Sequence, residues 1–268
     1  MDGATRPLAC AGVYRRHVKA SLARIWENVF DWEHLPSLHS RDFAACALLA
    51  RGPWGWRVRL VNQPGDETKA QILELQVDRS ARTYRVTTVD GPGAGSEIRV
   101  QLTPTGAHET DVCVEFLVAE TAPERLEAIG RRYVAVYERL WDEDEAMMIA
   151  RERALARSRR ARGAVARSLR LGPEADVRRR LPMTVTHGGA RYRIVEVDGE
   201  LLVHAATCPH WLAPLDEAPV VDGVVRCPWH GYAFDVRSGA CVSGQAVALG
   251  RAPLLSTIDG ELFLVAAT

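Results

Sequence analysis

The sequence predicts an α+β protein with two domains, an N-terminal antiparallel sheet that packs with a long helix and a smaller all-β domain after it. Seven stretches of alternating apolar and polar residues fill most of residues 8–118 and are separated by glycine- and proline-containing turns. A helical periodicity then continues through Arg153 or beyond, and a turn-rich alternating stretch follows from residue 183. We therefore place the domains at 1–160 and 181–268, with a basic linker at 161–180.

The strands of the first domain are predicted from their two-residue alternation, and seven of them fit one antiparallel sheet. In chain order they are LACAGVYRRHVKA, DFAACALLA, WGWRVRLVNQ, KAQILELQVDR, ARTYRVTTV, SEIRVQLTP and ETDVCVEFLVAE.

Two helical segments interrupt or follow these strands. The first opens at Ser21, carries its apolar residues on one side and breaks near Pro36, because proline disrupts a helix interior. The second opens with the capping box TAPE, in which Thr121 is the predicted N-cap and Glu124 stands three residues later.

Composition limits the classes of function. An apolar fraction of 47% with 25% charged residues is ordinary for a globular protein, and a formal net charge of zero argues against a dedicated nucleic-acid binder. The N-terminus lacks the apolar stretch of a signal peptide, and no run approaches the ~18 apolar residues that span a membrane. We expect a cytoplasmic protein with no membrane role. The six cysteines lack the dense spacing of a disulfide scaffold, and only Cys208 and Cys227 lie in a context that favours metal binding.

Basic residues are concentrated between Arg151 and Arg180, where eleven arginines face three acids. This stretch is either a solvated helix face with a linker or a docking patch for an acidic redox partner, since charge complementarity speeds encounter.

The second domain contains the spacing Cys208-x-His210, sixteen residues, then Cys227-x-x-His230. Two cysteines and two histidines can hold tetrahedral zinc. Cysteine paired with histidine on two hairpins also suits a cluster in which two thiolates bind one iron and two imidazoles bind the other. The segment resembles a Rieske [2Fe-2S] domain, and the match extends to Pro209, Pro228, Gly231, Phe234, Asp235 and Gly239.

The stretch DWEHLPSLH, residues 31–39, places two histidines around a proline. By itself, the stretch is better explained as an ordinary turn that closes a cavity than as a metal site. However, the element order of the first domain resembles the START or Bet v 1-like helix-grip fold, and such a domain fused to a Rieske domain resembles the Rieske non-heme iron oxygenases. Their D-x-x-H-x-x-x-x-H signature matches Asp31, His34 and His39.

That resemblance implies that His34 and His39 bind a mononuclear Fe(II) and that Asp31 links His34 to His230, usually across a subunit boundary. Residues five apart on a straight helix point about 140° from one another. Both imidazoles can therefore reach one metal only if the helix breaks, and we expect Pro36 to break it.

The third ligand should be a carboxylate on the long helix, and the four candidates there are Asp142, Glu143, Asp144 and Glu145. At about 100° per residue, Asp144 lies about 40° from Leu140, within the apolar stripe of the helix, whereas Asp142 lies on the opposite face. A carboxylate on a buried stripe needs a partner, which is a metal or, alternatively, an arginine.

The resemblance implies an oxygenase that uses O2, electrons from a reductase or ferredoxin, its cluster and Fe(II) to oxidise a small organic substrate. It also implies a homo-oligomer, with a trimer among the options. The domain order is the reverse of the usual one. The alternative function is a non-catalytic electron carrier or redox sensor whose START-like domain binds a hydrophobic ligand.

Overall fold

The computed structural model describes residues 7–120, 122–161 and 167–266. The chain divides between Ile149 and Ala150 into two units, and each is described by itself. The first unit contains the predicted antiparallel sheet and most of the long helix, and the second consists mainly of short strands.

Seven antiparallel strands form one sheet in the first unit, in the order β1-β7-β6-β5-β4-β3-β2. Each strand pairs with its neighbour in sequence except β1, which crosses to β7. The strands are β1 (Ala9–Val18), β2 (Phe43–Gly52), β3 (Gly55–Asn62), β4 (Gln71–Asp78), β5 (Thr83–Asp90), β6 (Glu97–Gly106) and β7 (Glu109–Val118). All seven predicted strands are therefore present.

Three α-helices accompany the sheet. They are α1 (Leu22–Phe30), α2 (Leu35–Leu38) and α3 (Pro123–Ala161), with a short 3-10 helix at Glu67–Lys69. Ser21 caps α1 because its hydroxyl accepts the Arg24 N–H at 3.4 Å. The predicted N-cap of the long helix, Thr121, lies outside the described residues. No helix in the described ranges is both long and apolar enough to cross a membrane.

One face of the sheet packs against α1 and α3. Alternate strand residues such as Val112, Val114 and Phe116 point to this face and are almost fully buried, as the two-residue period of a strand requires. From the helix, Trp141 and Met148 complete the same core. The core therefore fixes which face of α3 is turned towards the sheet.

A close approach of two backbones fixes the position of α3 along β1. A Cβ atom on Gly130 would lie 1.9 Å from the carbonyl oxygen of Ala11, and one on Gly12 would lie 3.3 Å from Gly130 Cα. The pairing of β1 with β7 is irregular between Cys10 and Gly12, at the point of contact. Glycine is tolerated inside this helix because any side chain would separate the two elements.

The second unit contains three three-stranded sheets with the orders β11-β10-β9, β12-β13-β14 and β15-β16-β8. Its strands are β8 (Leu169–Pro173), β9 (Met183–His187), β10 (Ala190–Val197), β11 (Glu200–Ala205), β12 (Val220–Val221), β13 (Val224–Arg226), β14 (Ala233–Asp235), β15 (Leu254–Ile258) and β16 (Glu261–Val265), with one helix, α4 (Glu174–Arg179).

The prediction of a linker over 161–180 is corrected by these elements. Strand β8 pairs with β16, and Val177 of α4 is completely buried. Arginines of this segment pair with nearby acids, as Arg170 does with Glu261 and Arg178 with Glu196. The arginine-rich composition predicted a linker, but the structure has a strand and a helix of the second unit in this segment.

Candidate metal centres

Two loops of the second unit hold the cysteine and histidine residues of the motif. In the first loop, the Cys208 N–H donates to the Ala213 carbonyl oxygen at 2.9 Å, and the Leu212 N–H donates back to the Cys208 carbonyl oxygen at 3.1 Å. In the second loop, the Cys227 N–H donates to the Tyr232 carbonyl oxygen at 2.8 Å. Each loop therefore closes on itself.

These loops bring the four predicted ligands together. The thiols of Cys208 and Cys227 are buried, and the ring centroids of His210 and His230 lie 4.4 Å apart. The Tyr232 ring stacks on His210 at 4.6 Å, with an interplanar angle of 16°. The imidazoles thus lie together at one end of the site, and an aromatic ring holds one of them.

The two thiols interact directly with each other. A hydrogen bond from Cys208 lowers the pKa of Cys227, against burial, and His230 and backbone N–H groups add to the lowering. The same interaction, together with burial, raises the pKa of Cys208. Two sulfurs in contact beside two imidazoles fit the donor set of a [2Fe-2S] cluster bound by two cysteines and two histidines.

The predicted residues of the first unit also converge. His34, His39 and Asp144 each offer a ligand atom, and these atoms lie within 4.8 Å of one another. Asp144 Oδ1 lies 3.5 Å from His34 Nε2 and 3.1 Å from His39 Nε2. All three residues are buried, with exposed fractions of 3%, 1% and 8%.

The donor set fits a transition metal. Two imidazole nitrogens and one carboxylate oxygen are the ligands of a facial triad. Asp144 Oδ1 is buried and accepts no hydrogen bond from any described residue, although two imidazole nitrogens lie close to it. A buried carboxylate oxygen in this position needs a cation or a proton.

Helix α3 holds Asp144 in place through its neighbours. Arg16 of β1 donates to Glu145 at 2.5 Å and to Asp142 at 2.6 Å. The Lys19 backbone N–H donates to the other oxygen of Glu145 at 2.8 Å. These contacts fix the side of α3 that carries Asp144 against the edge of the sheet.

Two further carboxylates face the outer nitrogens of the histidines. Asp31 Oδ2 lies 3.4 Å from His34 Nδ1, and Glu143 Oε2 lies 2.6 Å from His39 Nδ1. The resemblance predicted a contact between Asp31 and His34, and the structure has the two side chains close together. Glu143 was one of the four candidate ligands on the helix, but its contact with His39 was not predicted.

The expected role of Pro36 is wrong. Helix α1 ends at Phe30, before His34, and Pro36 stands in the first turn of α2, where its missing N–H costs no hydrogen bond. His34 is the N-cap of α2 and His39 its C-cap. The two imidazoles converge because they flank a one-turn helix, and the break between α1 and α2 precedes both.

The electrostatics of the site favour a protonated or metal-bound state of His39. Burial acts to lower the pKa of His39, but the neighbouring carboxylates of Asp144 and Glu143 outweigh burial and raise the pKa from its ordinary value. The charge of Asp144 also affects the pKa values of Tyr84 and Tyr137. Burial raises the pKa of both phenols, and the Asp144 charge contributes to the increase. The alternation of β5 could have indicated Tyr84 as a residue facing α3.

Comparison with known proteins identifies the second domain. Residues 168–253 match the family model described as the Rieske [2Fe-2S] domain, which is less than half of the chain. This part of the chain is a Rieske domain, and a Rieske domain implies a [2Fe-2S] cluster with an electron-transfer role. The predicted α+β fold class, with a helix-grip domain followed by an all-β Rieske domain, is confirmed.

Curated relatives share only a short segment. Apoptosis-inducing factor 3 of Mus musculus and of Homo sapiens are each 38% identical over 52 residues, which is 19% of this chain. The matched segment covers 9% of the length of those relatives.

Several solved structures are similar to parts of this chain. Norcoclaurine synthase from Thalictrum flavum is 18% identical and covers 56% of this chain and 93% of its own, with a TM-score of 0.41. The Zhui aromatase/cyclase from Streptomyces sp. R1128 is 16% identical and covers 55% and 98%, with a TM-score of 0.44. The ferredoxin of carbazole 1,9a-dioxygenase from Nocardioides aromaticivorans IC177 is 22% identical and covers 37% and 98%, with a TM-score of 0.33.

Proposed function

We propose that this protein is a Rieske-type oxygenase, which uses O2 and electrons from its cluster to oxidise a small organic molecule at a mononuclear iron in the first domain. One observation carries the proposal. A chain with a Rieske domain also gathers His34, His39 and Asp144 into a buried set of three ligands. A domain that transfers single electrons needs an acceptor, and this set is a candidate site for one.

The residues of the first domain have distinct roles in this proposal. His34 and His39 present Nε2, and Asp144 presents Oδ1, as the three ligands. When bound, iron(II) would supply the redox chemistry that activates O2 and would leave coordination positions open. Asp31 orients His34 through its outer nitrogen.

The surroundings of this site suit a small, largely apolar substrate. The Asp144 charge acts on the buried phenols of Tyr84 and Tyr137, which pack against the aromatic core of the domain. Tyr84 packs edge-on against Trp26 of this core with ring centroids 6.3 Å apart. Aromatic and aliphatic walls with few polar groups are typical of small-molecule pockets. Hydroxylation and dealkylation both fit such a site.

The residues of the second domain hold the cluster in this proposal. Cys208 and Cys227 would bind one iron as thiolates, and His210 and His230 would bind the other as neutral imidazoles. A reductase or ferredoxin would supply the electrons. The hydrogen bond between Asp31 and His230 and the homo-oligomer stay predictions.

Iron counting tests the proposal. We expect anaerobically purified protein to contain three irons per chain, two in the cluster and one at the triad, and Asp144→Ala to contain two. Glu138→Ala is the matched control, because Glu138 is an exposed acid of the same helix and should leave the count unchanged. Nitric oxide added to the reduced parent should give the EPR signal of an iron–nitrosyl complex, which Asp144→Ala should lose.

The same experiment separates the alternative function. Two irons in the parent and in both variants would refute the oxygenase and leave an electron carrier or redox sensor. A count of three that survives Asp144→Ala would place the third iron elsewhere and would also refute the proposed site.

A further inference from the structure

We infer that Glu143 is a positioning residue, which holds the His39 imidazole in the tautomer and orientation that a metal ligand needs. The inference rests on the proposed function, because it assigns Glu143 to the same metal site. It adds a residue that neither the motif nor the ligand triad includes.

The contacts of His39 carry this inference. The imidazole lies across two consecutive residues of α3, with Nδ1 2.6 Å from Glu143 Oε2 and Nε2 3.1 Å from Asp144 Oδ1. A carboxylate at Nδ1 holds the ring proton there and leaves the lone pair on Nε2, the nitrogen that faces Asp144 and His34. His39 is 1% exposed, so water cannot replace Glu143 easily in this role.

The two histidines are held unequally. Asp31 Oδ2 lies 3.4 Å from His34 Nδ1, and the other oxygen of Asp31 accepts the Glu33 N–H at 3.2 Å. Glu143 has the shorter contact with its histidine. We therefore expect the loss of Glu143 to weaken metal binding by releasing the His39 imidazole, while His34 keeps its contact with Asp31.

A purely structural role for Glu143 is the competing explanation. A second contact joins the same two segments, since Arg139 donates to Asp42 at 2.6 Å. Asp42 and Phe43 in turn donate their N–H groups to the His39 carbonyl oxygen at 2.9 and 3.0 Å. Arg139→Gln would therefore weaken the attachment of this segment to α3 without touching an imidazole, and it provides a matched control.

Cobalt(II) binding to the full chain with its cluster intact tests the inference. Its visible absorption bands report the geometry of the ligands as well as the affinity. After the triad metal has been removed with a chelator, we expect Glu143→Ala to bind cobalt(II) about 10- to 100-fold more weakly than the parent. Glu143→Gln should recover most of this loss, because the amide oxygen still accepts the Nδ1 proton. Arg139→Gln should bind with the affinity and bands of the parent.

The outcomes separate the inference from the proposed function. If the parent binds cobalt(II) and Glu143→Ala binds it equally well, the inference is wrong and the metal site stands. Equal losses in Glu143→Ala and Arg139→Gln would show a structural contact and would also overturn the inference. A parent that binds no cobalt(II) at the triad would overturn both. Glu143 is about one-third exposed (34%), so the Ala variant should fold. If it misfolds, Glu143→Leu replaces it, because leucine has a similar volume but accepts no hydrogen bond and should lose binding to the same extent.

Discussion

The two candidate centres of this chain are built in different ways. The four proposed cluster ligands lie between residues 208 and 230 on two loops that close through their own backbone hydrogen bonds. The triad instead combines two residues that flank α2 with a third from α3, which follows six more strands in the chain. The first centre is a local structure, whereas the second depends on how a long helix is held against a sheet. Mutations should therefore affect the two centres independently.

The largest expected effect is complete loss of the cluster in Cys227→Ser. A serine hydroxyl does not replace a buried thiolate at this site, so the visible absorption and the EPR signal of the reduced cluster should disappear. Cobalt(II) binding at the triad should persist, because its ligands belong to another unit. Cys241→Ser is the control, since the Cys241 thiol contacts Ser243 and Gln245 at 3.3 Å and is not one of the proposed cluster ligands. A cluster that survives Cys227→Ser would contradict the assigned ligands.

An intermediate effect is expected from Arg16→Met, which tests whether the triad depends on the position of α3. The substitution leaves Glu145, 12% exposed, without its cation, and should destabilise the first unit by about 3 kcal/mol. Urea unfolding followed by circular dichroism measures this loss. Cobalt(II) affinity at the triad should also fall, while cluster absorption stays unchanged.

The control for Arg16→Met is Arg131→Met on the same helix. Arg131 pairs with Glu127, but both side chains are about two-thirds exposed (67% and 72%), so the loss should be below about 0.5 kcal/mol. Equal losses in the two variants would show that the contact between β1 and α3 does not hold the helix in place.

Local patterns in the sequence predicted what is local in the structure. The seven strands follow from their alternation, and the cluster ligands follow from a motif that the Rieske match supports. Asp144 also follows from helix geometry, because its 40° offset from Leu140 places it on the buried stripe, where the structure has it. Each of these predictions uses the residue spacing within a single strand, helix or motif, and none needs a contact between distant elements.

Contacts between distant elements could not be predicted in this way. Gly130 interrupts the periodicity of α3 for a reason visible only when β1 lies beside it. Glu143 is one of four consecutive acids, and only the position of His39 distinguishes it. The strand and helix within 161–180 were missed because their arginines resemble a linker until their acidic partners, such as Glu261, are in place.

The smallest expected effect concerns pH, and it sharpens the difference between the two units because their buried histidines shift in opposite directions. In the second unit, burial lowers the pKa of His204 from its ordinary value of 6.5, and the Arg193 charge lowers it further. Nδ1 of this histidine lies 3.0 Å from the Ala205 carbonyl oxygen, and its buried Nε2 makes no hydrogen bond with the described residues. In the first unit, the carboxylates raise the pKa of His39.

The sign of the His204 effect follows from proton linkage. Below pH 6.5 the unfolded chain binds a proton at His204 that the folded chain does not bind, so the stability of the second unit falls as the pH decreases towards the folded pKa. The slope is at most about 1.4 kcal/mol per pH unit, the value for one proton. Urea unfolding followed by cluster absorption between about pH 5 and 7 measures this slope. His204→Gln should flatten it, because glutamine fills the site without titrating, and an unchanged slope would assign the pH dependence to other groups of the unit.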